Sequence, residues 1–136
     1  MVTKSRMGSK ITIAKTSDWV YHLVKLIPKG KVATYGQIAL LIQNYNSKFK
    51  INPRWIGWVL HRNHDLAVPC HRVVDRTGRI AKSFAFGGWR EQKRRLEIEG
   101  VRFKDRMHVD LGRYLWGGRN TVNGNETRIE KRKAVT

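Results

Sequence analysis

The chain has 136 residues, with 28 lysines and arginines against 10 aspartates and glutamates and a formal net charge of +18. That length suits one small domain with its own core and is short for two, while the charge points to a polyanionic partner, nucleic acid ahead of an anionic membrane. No apolar run reaches the ~20 residues of a membrane span, no secretory signal is evident and the lone cysteine cannot pair internally, so a cytoplasmic protein, or a nuclear one in a eukaryote, is expected.

Residues 1–16 carry Lys4, Arg6, Lys10 and Lys15 without periodicity and read as a basic arm, with some order around Ile11–Ile13. From Ser17 the pattern becomes helical. Trp19, Val20, Leu23, Val24 and Ile27 share one face, Ser17 or Asp18 is placed to cap it, and Pro28 and Gly30 end it. Thr34 and Gln37 then stand at capping-box spacing before a second helix whose apolar stripe is Ile38, Leu41, Ile42 and Tyr45, which puts Tyr35 in its first turn.

A polar connector runs from Asn44 to Asn52, and Asn52 followed by Pro53 is a cap with proline at the first helical position. The third helix turns Ile56, Val59 and Leu60 inward and leaves Arg54, Trp58, His61 and Arg62 near the surface, with Gly57 allowing close approach. A basic helix behind a core helix suggests a helix-turn-helix, although the same cations also suit a plain solvated face.

Residues 66–82 change period: Arg72–Asp75, a turn at Arg76–Gly78 and Arg79–Ala81 predict a short hairpin or wing. Gly87 and Gly88 open a helix in which Trp89, Gln92, Leu96 and Glu99 share the inner face, and Gly100 fits its left-handed terminus with Val101 packing back. Val109, Leu111, Tyr114, Leu115 and Trp116 suit a closing element, and 117–136 reads as a disordered basic tail. The fold expected is mainly α, a winged helix-turn-helix-like domain over 17–116 with a short β-hairpin wing.

The chemistry centres on Cys70 in the run Pro69, Cys70, His71, Arg72, Val73, Val74. A free thiol is mostly protonated at neutral pH, so a nucleophile needs a nearby base or positive charge, and this run carries both. Inert burial is the competing reading. The inward Glu99 needs a donor, either His71, which would give a Cys70–His71–Glu99 constellation, or one of the many arginines. One cysteine and scattered histidines lack metal-ligand spacing, so no metal is assigned.

From about Trp19 to Gly100 the sequence resembles the DNA-binding and active-site domain of O6-alkylguanine-DNA alkyltransferases and the related alkyltransferase-like proteins. The resemblance rests on Pro69–Val74, with Asn63 upstream and Glu99–Gly100 downstream in matching order. It implies that Cys70 accepts the alkyl group, His71 acts as base through a water, Glu99 orients the imidazole and Asn63 braces the turn. Tyr35 turns the nucleotide out and assists the leaving guanine, and Arg54 fills the vacated space. Gly57, Trp58 and Arg72 join Arg54 and Tyr35 at the DNA surface, in the minor groove. Val73, Tyr35 and Ser83 line the base pocket.

The resemblance further implies a monomer without cofactor that binds duplex DNA containing O6-alkylguanine and reacts once, as a methylated-DNA–protein-cysteine S-methyltransferase. Some residues depart from that pattern. The family's larger N-terminal domain is replaced by the basic arm, the connector before Arg54 is longer, and His64 follows Asn63 where proline is common. The loop Ala81–Gly88 and the run Val109–Trp116 look more like the alkyltransferase-like branch, whose members bind alkylated DNA without transfer and pass it to excision-repair proteins. That sensor is the alternative expectation, and a winged-helix DNA binder with a silent thiol is a third.

Overall fold

Val20 and Val24 are fully buried and Ile27 is nearly so, which seats the inner face of the first helix in the core as its spacing predicts. The computed structural model describes residues 13–117 apart from 46, 47 and 49, so most of the predicted arm and the tail from 118 onward lie outside the described residues. The helix, α1, runs Ile13–Lys25. Ser17 and Asp18 therefore sit inside it and do not cap it: an interior Ser or Asp costs only tenths of a kcal/mol, too little to stop a helix running on from Ala14 and Lys15. The chain leaves α1 through Pro28 and Gly30 and enters the short strand β1, Ala33–Thr34.

Helix α2, Tyr35–Tyr45, opens with the predicted capping box. Gln37 N donates to Thr34 Oγ1 at 3.0 Å and Thr34 N donates to Gln37 Oε1 at 3.2 Å. Its inner side is Gln37, Ile38, Ala39 and Ile42, whereas Tyr45 is 70% exposed and lies against Trp19. Helix α3, Pro53–His61, begins at the Asn52 cap, whose side chain accepts from Trp55 N at 2.9 Å, and buries Ile56, Val59 and Leu60. Together α2 and α3 form the helix-turn-helix of a mostly helical domain. Each such aliphatic side chain contributes about 1.5–3 kcal/mol on full burial.

A 3-10 turn at Cys70–Arg72 leads into β2, Val73–Val74. The expected turn follows, with Asp75 N donating to Arg79 O at 3.0 Å. The expected hairpin does not: β2 pairs with β1 in parallel, Ala33 opposite Val73 and Thr34 opposite Val74, while Arg79 bridges to His108. Strand alternation accounts for this choice. Ala33 and Val73 face the cluster built on α1, α2 and α3, and Val32 and Val74 face a second cluster of Ile80, Leu96, Val101 and Val109, so the ladder divides two cores.

Helix α4, Gly88–Ile98, buries Gln92 and Leu96 and ends at Gly100 with φ +91°, where Val101 N donates back to Leu96 O at 3.0 Å. The closing element is the short helix α5, Leu111–Tyr114, followed by Trp116 N donating to Val32 O at 2.7 Å. Gly78 is required in the turn that α5 abuts: its φ is +90° and a Cβ there would collide with the Val109 carbonyl oxygen. Among the described residues no helix is long and apolar enough to cross a membrane, and no group of three or more His, Cys, Asp or Glu is placed to hold a metal.

Candidate active site and nucleic-acid interface

A cavity of about 180 Å³ opens between α2, α3 and the 81–85 loop, lined among others by Tyr35, Gly57, His61, Cys70, Val73, Ser83 and Phe84. The sequence thus brings five predicted residues, Tyr35, Gly57, Cys70, Val73 and Ser83, to one space from four separate segments. Gly57 faces the Tyr35 ring, where an added Cβ would stand 3.7 Å from it.

Cys70 is 6% exposed. Its sulfur accepts from Asn63 Nδ2 at 3.1 Å and lies 3.9 Å from the Leu60 carbonyl oxygen. Asn63 is itself fixed, its Oδ1 accepting from Asp65 N at 3.0 Å and its Nδ2 donating to Asp65 O at 3.0 Å. Burial pushes the thiol up to about 11, against the smaller opposing pull of the Asn63 amide, so the resting sulfur is protonated. Of the neighbours that the sequence sets beside the sulfur, the His71 Nε2 and the Arg72 guanidinium engage Glu99.

His71 Nε2 lies 2.9 Å from Glu99 Oε2. Because the carboxylate can only accept, the proton belongs on Nε2 and Nδ1 keeps the lone pair. Burial lowers the imidazole's pKa, more than the Glu99 contact raises it, which keeps His71 neutral near pH 7. Burial also acts to raise Glu99, but hydrogen bonds from Arg72 and His71 outweigh it and the carboxyl is held below its ordinary range.

Both readings of the Glu99 partner are realised together. Arg72 donates from Nε to Oε1 at 3.0 Å and from NH2 to Oε2 at 2.7 Å, a bidentate pair, and from NH1 to the Ile27 carbonyl at 2.8 Å. Its assignment to the DNA surface is therefore corrected: the guanidinium is mostly buried and ties the Glu99 carboxylate to the chain just beyond α1. Arg54 and Trp58, by contrast, stand on the exposed side of α3.

Sequence reasoning placed Gln92 on the inner face but missed what it holds. Its fully buried amide accepts from Ala81 N at 2.7 Å and donates to the carbonyls of His71 at 3.2 Å and Val73 at 3.1 Å, fastening the cysteine turn to the cavity wall. A polar residue at a core-facing helix position was the available signal. Phe84 lines the wall and packs edge-on against Phe86 behind it, with the Arg95 guanidinium 5.4 Å from each ring. Burial drives the Tyr35 phenol up to about 12, and among the described residues its hydroxyl has no protein hydrogen-bond partner.

Fold and site together define a helix-turn-helix domain with a thiol-bearing pocket beside its second helix. Residues 15–101 match the family described as 6-O-methylguanine DNA methyltransferase, DNA binding domain, and the chain belongs to that family. It is 35% identical over 102 residues to alkyltransferase-like protein 1 of Schizosaccharomyces pombe, covering 71% of this chain and 90% of the relative. Over 98 residues it is 36% identical to a DNA base-flipping protein of Escherichia coli, covering 71% and 70%. A methylated-DNA–protein-cysteine methyltransferase of Thermococcus kodakarensis is 36% identical over 89 residues, but this chain spans only 44% of its length. Among solved structures, S. pombe Atl1 in complex with damaged DNA containing O6-carboxymethylguanine superposes with a TM-score of 0.65 at 33% identity, covering 77% of this chain and 97% of that one.

Proposed function

We propose that this protein binds alkylation-damaged duplex DNA through the minor groove, turns O6-alkylguanine into the cavity and transfers the alkyl group to Cys70. The observation that supports the reading is that Cys70 and Tyr35 line the same cavity beside α3. A base can reach that space only by leaving the stack, which costs a few kcal/mol and least where pairing is already weakened.

In the reaction His71 Nδ1 takes the thiol proton through a bridging water, and Glu99 holds the imidazole in the required tautomer. The sulfur attacks the alkyl carbon, an S–C bond forms, and the C–O6 bond breaks with its electron pair on guanine. Tyr35, whose raised pKa keeps it protonated, donates to the departing base, and the proton that left the sulfur ends on guanine. The products are a thioether and an ordinary guanine, with no cofactor consumed.

A second reading, a sensor that flips the lesion without transfer and passes it to excision-repair proteins, is favoured by one observation. The resting thiol is buried and held at about 11, which suppresses thiolate chemistry until something displaces it. Intact-mass measurement after incubation with an O6-methylguanine oligonucleotide separates the two. One added methyl on Cys70 is expected; tight lesion binding with unchanged mass would replace transfer by sensing.

A further inference from the structure

Helix α3 presents a line of side chains that the cavity does not use. Arg54, Trp58 and Arg62 follow at four-residue spacing, each about 40° around the axis from the last, and all three are exposed. Trp58 is 51% exposed, a large apolar ring left open on the most cationic side of the helix. Arg62 caps the helix, its N–H donating to Trp58 O at 3.2 Å, and its guanidinium lies 4.8 Å from the indole centroid. One indole face is thus braced by a cation while the ring remains open to a partner.

The neighbouring line, Gly57 and His61, opens into the cavity. A duplex that delivers a base there must lay its groove across Arg54 and Trp58. Arginines suit phosphates on either side, whereas an indole can offer a phosphate only its single N–H and leaves its large apolar faces unused there. Its chemistry fits the flat apolar faces of sugars and base edges, where inserted apolar side chains unstack a step and kink the duplex.

We infer that Trp58 is a second inserting side chain, a wedge that enters the groove next to Arg54, packs on the step flanking the flipped nucleotide and bends the duplex, with Arg62 bracing the ring and contacting the adjoining phosphate. This rests on the proposed reading in that DNA lies across α3. The wedge acts on the duplex and not on the lesion, so it raises affinity for damaged and undamaged DNA alike and favours easily kinked pyrimidine–purine steps at the flank.

The test measures affinity and, by energy transfer between end labels, bending of an O6-methylguanine duplex and its undamaged match. Trp58→Ala is expected to weaken binding to both by about tenfold and to straighten both, with the preference for the lesion retained. Trp58→Phe restores most of the bend, and Arg62→Gln shows a smaller loss with a shallower salt dependence. Trp58→Ala that binds within about twofold of the parent and bends DNA equally would overturn the wedge. An exposed position makes the variant's folding safe, and circular dichroism checks it. If the parent protein shows no lesion preference, the proposed function fails instead, and straightening of undamaged DNA by Trp58→Ala still supports the wedge.

Discussion

Asn63 holds Cys70 by its sulfur: one side-chain amide donates to Sγ at 3.1 Å while both of its polar atoms are engaged with the Asp65 backbone. Asn63→Ala removes a buried donor and the brace of the turn together. A stability loss of about 1–3 kcal/mol is expected in urea denaturation. The thiol loses a contact that favours its ionised form, so its titration moves further upward and its reaction with a small alkylating reagent slows at any given pH. An unaltered titration would show that the amide contact does not bear on the sulfur.

Glu99→Gln is expected to damage folding as well as chemistry. Arg72 would keep a largely buried guanidinium without its counter-charge, at a cost of about 3 kcal/mol. The double variant Glu99→Gln with Arg72→Met, which removes the stranded charge, should recover much of that loss while leaving His71 facing a neutral amide in place of the carboxylate. Thermal denaturation of the two variants side by side checks this, and equal midpoints would mean that the pair does not couple.

Stability should fall at both ends of the pH scale for identifiable reasons. Glu99 and His71 both have lowered values in the fold, so the unfolded chain takes up protons that the folded one refuses. Their contributions are full above the ordinary values, near 6.5 for His71 and 4.5 for Glu99, and are lost as pH falls through the folded ones. Cys70 works in the opposite direction: unfolded it ionises near 9, folded near 11, so about 2–3 kcal/mol is lost as pH rises across that interval. Denaturation midpoints of Cys70→Ala measured between pH 9 and 10, below the Tyr35 transition, should lack that slope.

Arg54→Ala and Lys133→Ala each remove one positive charge. The first should reduce lesion affinity by about tenfold or more if Arg54 takes the space of the flipped base, as the family resemblance implies, because it then acts inside the stack. The second should only lower the salt dependence by about one ion. Binding isotherms at several salt concentrations distinguish them, and matching effects would make Arg54 an ordinary phosphate contact.

Local chemistry was readable wherever neighbours in sequence settle the matter. The Thr34–Gln37 box, the Asn52–Pro53 cap and the Gly100 terminus each depend on residues within a few positions, and all three form as anticipated. The inward stripe of α3 and the inner direction of Gln92 and Glu99 follow from helical period alone. Long-range partners were harder. Val73 and Val74 fit a local hairpin equally well by pattern, and only the two clusters on either side of Ala33–Thr34 decide for the parallel pairing. Arg72 was misjudged because a guanidinium on the chain beside a thiol gives no sign of which way it turns. The acceptors that fix it, Glu99 and the Ile27 carbonyl, lie 27 and 45 positions away.

The parallel pairing of β1 with β2 has a mechanical consequence for the cavity. Thr34 runs directly into Tyr35 and Val73 follows two residues after His71, so two rungs of main chain tie the phenol's helix to the cysteine's turn. Their separation is set by backbone geometry that side-chain torsions cannot adjust. The cavity thus has one wall whose spacing is fixed by main chain, and under the proposed reading the size of the group it admits is decided by the side chains of the facing segment, Ala81, Ser83, Phe84 and Ala85.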